Sequence, residues 1–330
     1  MRRSVSAVAR PLTAALAAVA LALVAAGCGD DDDATTSQGA GSETTQLRVA
    51  YVPATTTLPL HVAEAQGFFE KRGLDVTLQE AANISDIPAT LGRQFDIALG
   101  TATDLIRAGS AGVDVVQIAG NTVDTEDNPF VQLMVPKDSQ IKDVADLEGK
   151  KVGTPTLSGV IHAAVQYWAK ESGADPAKIQ GVQAPSPTLP DQLKAGRIQA
   201  VEALEPFATT MKQKGAVSLG DPFASIGSPL ATNFWIAKGE WANDNREAVG
   251  NYVAALEEAV AFIKDEPKEA RRILRGYTDM PPKIAQIVPL PTYELDIRAQ
   301  DLAKWVDVLK EVGQFKGDVD PQTLVLSDDS

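Results

Sequence analysis

Leu58-Pro59-Leu60-His61-Val62-Ala63-Glu64-Ala65-Gln66-Gly67-Phe68-Phe69-Glu70-Lys71-Arg72-Gly73-Leu74-Asp75-Val76 decides the fold. Leu58 to Gln66 reads as a helix, with Thr57 at the N-cap position and Pro59 in the first turn, where a missing N–H is tolerated. Gly67 punctuates the helix, Phe68 to Arg72 makes a short turn, and Gly73 opens a strand, Leu74 to Leu78. Upstream, Leu47 to Val52 alternates apolar and polar residues and stops at Pro53, which reads as another strand.

The same alternation continues. Ile84 to Leu91 reads as a short helix, Asp96 to Leu99 as a strand, Thr103 to Gly109 as a helix and Val113 to Ala119 as a strand. Strands alternating with short helices predict an α/β fold with a mainly parallel sheet covered on both faces. The pattern then restarts with strand Val131 to Val135, the loop Thr154 to Gly159 and helix Val160 to Ser172. Strand Ile179 to Gln183, helix Leu189 to Lys194 and strand Ala200 to Leu204 follow. Leu230 to Ala237 reads as a strand returning to the first unit, and Arg246 to Gly276 and Asp296 to Gly313 as largely amphipathic helix. Leu91 to Ala98 and Leu193 to Ala200 form a quasi-repeat: a helix end, a glycine turn and a buried strand. Two similar lobes crossed twice by the chain place a cleft at their junction.

The N-terminus carries an address. Arg2, Arg3 and Arg10 precede an apolar run from Leu12 to Ala26, and Val24-Ala25-Ala26-Gly27-Cys28 closes it with the only cysteine. The run is short of the ~20 apolar residues a bilayer span needs and suits a signal segment. It resembles a bacterial lipobox, with Ala25 where many carry leucine, which makes Cys28 the lipidation site. Gly29-Asp30-Asp31-Asp32-Asp33 and the Ser/Thr/Gly-rich residues up to Gln46 lack large apolar side chains, so they read as a flexible acidic tether.

Composition narrows the chemistry. The formal charge is −14, and about −17 once residues 1–27 and their three arginines are removed. That acidity argues against nucleic acid and against anionic lipid as partners. With Cys28 lipidated no thiol remains, which removes disulfides, thiolate metal sites and a cysteine nucleophile. Two histidines, His61 and His162, leave little for zinc or a histidine-based triad. The expectation is therefore a protein without enzymatic activity, metal or cofactor.

The Leu58–Val76 stretch is similar to the opening of ABC-transporter substrate-binding proteins of the nitrate, sulfonate and taurine group, which proteins binding a thiamine pyrimidine precursor share. Matching segments follow in order: the turn containing Asp96, Gly112 to Val116, Asp146 to Gly153, Gly196-Arg197-Ile198 and Glu205-Pro206. Together they cover roughly residues 47 to 320. The chain departs at Arg93, where glycine is usual, and at Gln199, where aspartate is usual. The resemblance implies a type II periplasmic-binding-protein fold, two α/β lobes joined by a two-strand hinge and closing on a small solute. It also implies an ABC permease and its ATPase subunit as partners.

Ligands of open α/β sheets bind beyond the carboxyl ends of strands, near helix N-termini. Four loops answer to that rule. Thr56 and Thr57 after the first strand are either hydroxyl donors to a solute or turn and cap residues. Thr101 and Thr103 follow the strand ending near Leu99, with Thr103 an equal candidate for an N-cap. Thr154 and Ser158 face them from the second lobe. Glu205 either accepts from an amine or ring N–H or serves the hinge. Asn233 and Trp235 lie near the crossover, Trp235 either stacking on a flat solute or packing in the core, and His61 faces either the cleft or the surface. No arginine falls in the four loops, which disfavours nitrate against a sulfonate or larger organic solute.

The expected organisation is a signal peptide at 1–27, a tether at 28–46, a first lobe at 47–135 and 232–330, and a second lobe at 136–231. The expected function is capture of a small organic solute, organosulfonate or taurine-like, by a monomer lipid-anchored on the extracytoplasmic side of the cell membrane. A thiamine pyrimidine precursor or another nitrogen-containing solute is the alternative. A second alternative is an enzyme of the same fold, a pyrimidine synthase or a desulfinase.

Overall fold

The computed structural model describes residues 44–81, 84 and 87–327. Cys28, the apolar segment before it and the acidic run after it lie outside the described residues. Within these there are eleven strands: β1 (Thr45–Tyr51), β2 (Leu74–Glu80), β3 (Ile97–Thr101), β4 (Val116–Asp124), β5 (Val131–Val135), β6 (Lys151–Thr154), β7 (Gln180–Gln183), β8 (Ala200–Leu204), β9 (Val217–Gly220), β10 (Leu230–Ala237) and β11 (Thr292–Tyr293).

They form two sheets, ordered β11-β4-β10-β3-β1-β2 and β7-β6-β8-β5-β9. Each contains a parallel trio, β2-β1-β3 and β7-β6-β8, followed by one strand running the other way, β10 or β5. The sheets are therefore mixed rather than mainly parallel. The reversed strands are those entering by a crossing from the other sheet, through residues 125–130 into β5 and through residues 221–229 into β10. β5 pairs with β8 and β9, so by sheet membership it belongs with the second unit, whereas a 47–135 boundary assigns it to the first.

The quasi-repeat occupies equivalent places. Leu91–Ala98 leads into β3 and Leu193–Ala200 into β8, the third strand of each trio. Asp96 Oδ2 accepts from the Arg48 amide of β1 at 2.8 Å, and Gln199 Oε1 accepts from the Lys151 amide of β6 at 3.0 Å. Glutamine at 199 thus caps the same backbone N–H that aspartate caps in the first unit. At the other departure, Gly92 takes the left-handed conformation (φ 76°), which frees position 93 for an arginine.

β10 is buried along its whole length between β3 and β4. Its side chains alternate between faces, as a strand requires. Trp235 and Ala237 join Leu60, Tyr252, Leu256 and Leu274 under the helices Leu58–Ala65, Arg246–Asp265 and Pro267–Tyr277. Phe234 and Ile236 join Leu105, Leu302, Trp305 and Leu309 under Ala102–Ser110 and Ala299–Glu311. The five-stranded sheet has its own two clusters, around Val152 and Val165 and around Leu193 and Met211.

Several elements differ from expectation. Between Ile84 and Leu91 no described residue is α-helical and Pro88–Thr90 is a 3-10 turn, because Pro88 lacks the N–H a continuing helix needs. The strand expected at Val113–Ala119 lies at Val116–Asp124, where every residue is buried. Helix Phe207–Gln213, β9 and β11 have no counterpart in the sequence pattern; all are short.

Candidate functional site

The carboxyl ends of β1, β3, β6 and β8 meet the start of β10 around a cleft of about 550 Å³. Residues of both sheets line it. The loop after β1 supplies Pro53, Ala54 and Thr56; Thr101 ends β3 and Asp104 follows it; Thr154 ends β6, with Pro155 and Thr156 beyond it; Leu204 ends β8 and Phe207 opens the helix Phe207–Gln213. Phe130 and Phe223 enter from the two crossings, and Thr232 and Asn233 from β10.

The β1 loop is held from outside. Its successive carbonyls at 54, 55 and 56 accept from Tyr277 Oη at 2.8 Å, Tyr293 Oη at 2.7 Å and Asn121 Nδ2 at 3.1 Å. Burial pushes both phenols well above their ordinary range, so they remain protonated donors. Thr57 belongs to the same scaffold, since its hydroxyl donates to the Ala54 carbonyl at 3.0 Å and its side chain is buried. It stands at the N-cap position of Leu58–Ala65 without making a side-chain cap bond.

Beyond β3 the cap of helix Ala102–Ser110 is Thr101, whose Oγ1 accepts from the Asp104 amide at 3.4 Å and donates to Asp104 Oδ2 at 2.6 Å. Thr103 is buried, with its hydroxyl 3.0 Å from that of Thr101, and does not line the cleft. On the facing side Thr154 Oγ1 donates to the Thr156 carbonyl at 3.2 Å. The helix Val160–Glu171 starts at Gly159 with no side-chain cap, leaving first-turn N–H groups at the cleft wall, where Val160 and Ile161 also lie.

Asn233 is fixed by its neighbours. Its Oδ1 accepts from Asn121 Nδ2 at 2.8 Å and from Thr122 Oγ1 at 2.9 Å. Its Nδ2 has a single 3.4 Å contact with Thr232 Oγ1.

Of the residues singled out from sequence, the structure brings Thr56, Thr101, Thr154 and Asn233 together on the cleft wall and leaves six elsewhere. Thr57 and Thr103 are scaffold, as above. Ser158 is exposed, and its carbonyl accepts from Arg107. Glu205 is buried and caps a helix, its Oε2 accepting from the Thr209 amide at 3.0 Å, while burial raises its pKa. Trp235 is in the core, edge-on to Tyr252 with centroids 5.6 Å apart, because strand alternation turns it towards the helices. His61 is also buried, stacked on Tyr277 at 3.6 Å.

Sequence reasoning misses Asp104, Phe130, Phe207, Phe223 and the Pro185–Pro187 turn. Asp104 has a signal, the Thr101-x-x-Asp104 spacing of a helix start. The described lining holds two carboxylates, Asp104 within and Glu80 at the exposed rim, and no lysine, arginine or histidine. Behind Ile161, His162 Nδ1 lies 2.7 Å from Glu202 Oε1 in a buried pair. Burial alone would lower the histidine pKa; the charge and hydrogen bond of Glu202 outweigh it and raise it.

The family model described as NMT1/THI5 like matches residues 54–270. Among curated proteins the chain is 24% identical over 255 residues to the 4-amino-5-hydroxymethyl-2-methylpyrimidine phosphate synthase THI11 of Saccharomyces cerevisiae, covering 73% of this chain and 72% of that one. Among solved structures it superposes on the periplasmic aliphatic sulphonate binding protein SsuA from Escherichia coli with TM-score 0.74 at 19% identity, covering 86% and 97% of the two chains. The periplasmic nitrate-binding protein NrtA from Synechocystis PCC 6803 gives TM-score 0.70 at 16% identity, with 85% and 84% covered. The chain has the periplasmic-binding-protein fold.

One expectation is overturned. Composition points to a protein that is no enzyme, yet the yeast relative is named as a synthase. The scarcity of thiol and histidine removes thiolate, zinc and histidine-triad chemistry only; the cleft still offers carboxyl and hydroxyl groups, Asp104 and Thr101 among them. The matched region runs from the β1 loop through every strand from β2 to β10 and into the helices beyond, and the chain belongs to the NMT1/THI5-like family.

Proposed function

We propose that the cleft captures a small organic solute and that the protein is the extracytoplasmic binding component of an ABC importer. The observation that carries this reading is the preformed cleft between the two sheets, with the carbonyls of one wall tied back by Tyr277, Tyr293 and Asn121. A wall whose shape is set before binding loses less conformational freedom when a solute arrives. In this reading the lobes are residues 47–130 with 230–327, and 131–229, a division supported by the pairing of β5 with β8 and β9 and of β10 with β3 and β4. Lipidation at Cys28 and the acidic tether keep the monomer at the membrane beside its permease and ATPase. Among the described residues no helix is long and apolar enough to cross a membrane.

A second reading is favoured by the yeast relative's name: the cleft holds a pyrimidine-type molecule and acts on it. One experiment addresses both. Thermal unfolding of the purified protein is followed with organic sulfonates, taurine, aminopyrimidines and aromatic amines, and each mixture is then analysed for product. A ligand at a hundredfold excess over its Kd adds about 2.7 kcal/mol, roughly 5 °C in a chain of this size. A shift without product supports the binding component, a shift with product supports the second reading, and a flat response to every class removes both.

A further inference from the structure

Helix Pro267–Tyr277 divides its residues sharply between two faces. Ala270, Ile273 and Leu274 are buried in the core, whereas Lys268, Arg271, Arg272 and Arg275 fall at i, i+3, i+4 and i+7 on the side away from it. Residues 268–275 thus hold four basic side chains and one acid, Glu269, in a chain whose formal charge is −14. Ala285 and Gln286 of helix Pro282–Ile287 face them across a groove of about 410 Å³. The groove shares no lining residue with the cleft between the sheets.

A fixed guanidinium forms its floor. Arg271 Nη1 donates to the Ala285 carbonyl at 2.8 Å and to the Val288 carbonyl at 2.9 Å, which ties the two banks together. Both Nη1 hydrogens are thereby used, and the Nε–Nη2 edge, the one that fits a carboxylate bidentately, has no acceptor among the described residues. Arg272 is answered by Glu269 one turn back. Lys268 and Arg275 are exposed and pair with no carboxylate among the described residues.

Length and surroundings select the ligand. At about 1.5 Å of rise per residue, Lys268 and Arg275 stand roughly 10 Å apart along the helix axis. A single small anion answers one or two cations of such a row, whereas an extended peptide, advancing about 3.3 Å per residue, covers it with three or four residues. The row is also bounded, by Asp265 and Glu266 before it and Asp279 after it, all exposed. A broad anionic surface or a long polyanion would meet those carboxylates and the excess negative charge beyond them.

We infer that this groove docks a short acidic peptide segment of a partner protein, its carboxylates answering Lys268, Arg271 and Arg275 in turn. The segment lies against both elements that hold the cleft wall, since one bank ends in Tyr277 and the chain beyond the other leads to Tyr293. The inference stands whichever solute the cleft takes.

The test is fluorescence anisotropy of the full-length protein with labelled hexaglutamate and hexaglutamine at low ionic strength. Two double variants carry the same change of charge: Lys268→Glu with Arg275→Glu in the groove, and Lys212→Glu with Lys214→Glu, exposed residues on the other sheet's side. Hexaglutamate is expected to bind at least tenfold tighter than hexaglutamine. The groove variant, with native circular dichroism, should lose that preference and the control variant should keep it. Equal binding of the two peptides, no binding of either, or a preference that survives in the groove variant or vanishes equally in both overturns the inference. Inorganic phosphate that displaces hexaglutamate at equal concentration overturns it in favour of a small-anion site. Sedimentation with phosphatidylglycerol vesicles that the groove variant loses, without a hexaglutamate preference, overturns it in favour of a membrane contact.

Discussion

Asn121 Nδ2 lies 2.8 Å from Asn233 Oδ1 and 3.1 Å from the Thr56 carbonyl, so one buried amide fixes both the β1 loop and the direction of the cleft-lining asparagine. Replacing Asn121 with alanine leaves both oxygens without that donor, and unfolding in denaturant should show a loss of about 1–3 kcal/mol. Asn121→Asp should be worse at neutral pH, because it sets a carboxylate against two acceptors. Equal stability of the alanine and aspartate variants would refute the donor role.

Tyr277 and Tyr293 reach the neighbouring carbonyls of the same loop. Each Tyr→Phe change deletes one hydroxyl and little volume, with an expected loss of about 1 kcal/mol. The double variant should also show faster amide exchange at residues 54–57 and weaker solute binding. Unchanged exchange there would mean that the loop holds its shape without them.

Asp124 ends β4, just before one crossing between the sheets, and Asp221 begins the other. Burial and the neighbouring Asp221 carboxylate push Asp124 up to about 9, and burial raises Asp221 as well, with Glu126 adding like charge. The buried pair therefore holds a proton at neutral pH. A raised folded pKa means stability present below the ordinary carboxyl range is lost as pH climbs towards 9. Melting temperature should fall from about pH 4 to pH 9, and Asp124→Asn should flatten that decline. A slope identical in wild type and variant would show that other groups set it.

Two glycines make opposite predictions. A Cβ at Gly120 would press on the carbonyl oxygens of Glu294 and Asp296, backbone that cannot swing aside, whereas a Cβ at Gly250 meets nothing within 4 Å. Gly120→Ala should destabilise by about 1–3 kcal/mol through overpacking. Gly250→Ala, inside helix Arg246–Asp265, should stabilise by roughly 0.5–1 kcal/mol. Chemical denaturation of both variants checks the pair.

Strongly periodic segments are legible in the amino-acid sequence. Val131–Val135, Leu189–Lys194, Ala200–Leu204 and Leu230–Ala237 fall at the bounds that alternation and helical spacing mark. The antiparallel placement of β5 and β10 is not legible there, since local pattern carries no strand direction. In the site, loop position finds Thr56, Thr101, Thr154 and Asn233, because helix starts and strand ends do mark the cleft edge. It does not separate a hydroxyl facing the cleft from one turned to its own backbone, which is why Thr57 and Thr103 stand among the candidates. Phe130, Phe207 and Phe223 gather only through the crossings and the tertiary fold, so nothing local announces them.

Native mass spectrometry tests solute capture most directly. The protein is incubated with small-molecule extract of its own host, desalted and weighed intact beside Ser186→Trp, a half-buried wall position where an indole would fill the cleft. The predicted result is a bound small molecule on the wild type, absent from a Ser186→Trp variant with native circular dichroism. A wild type that carries nothing, or a variant that carries the same mass, would contradict solute binding in this cleft.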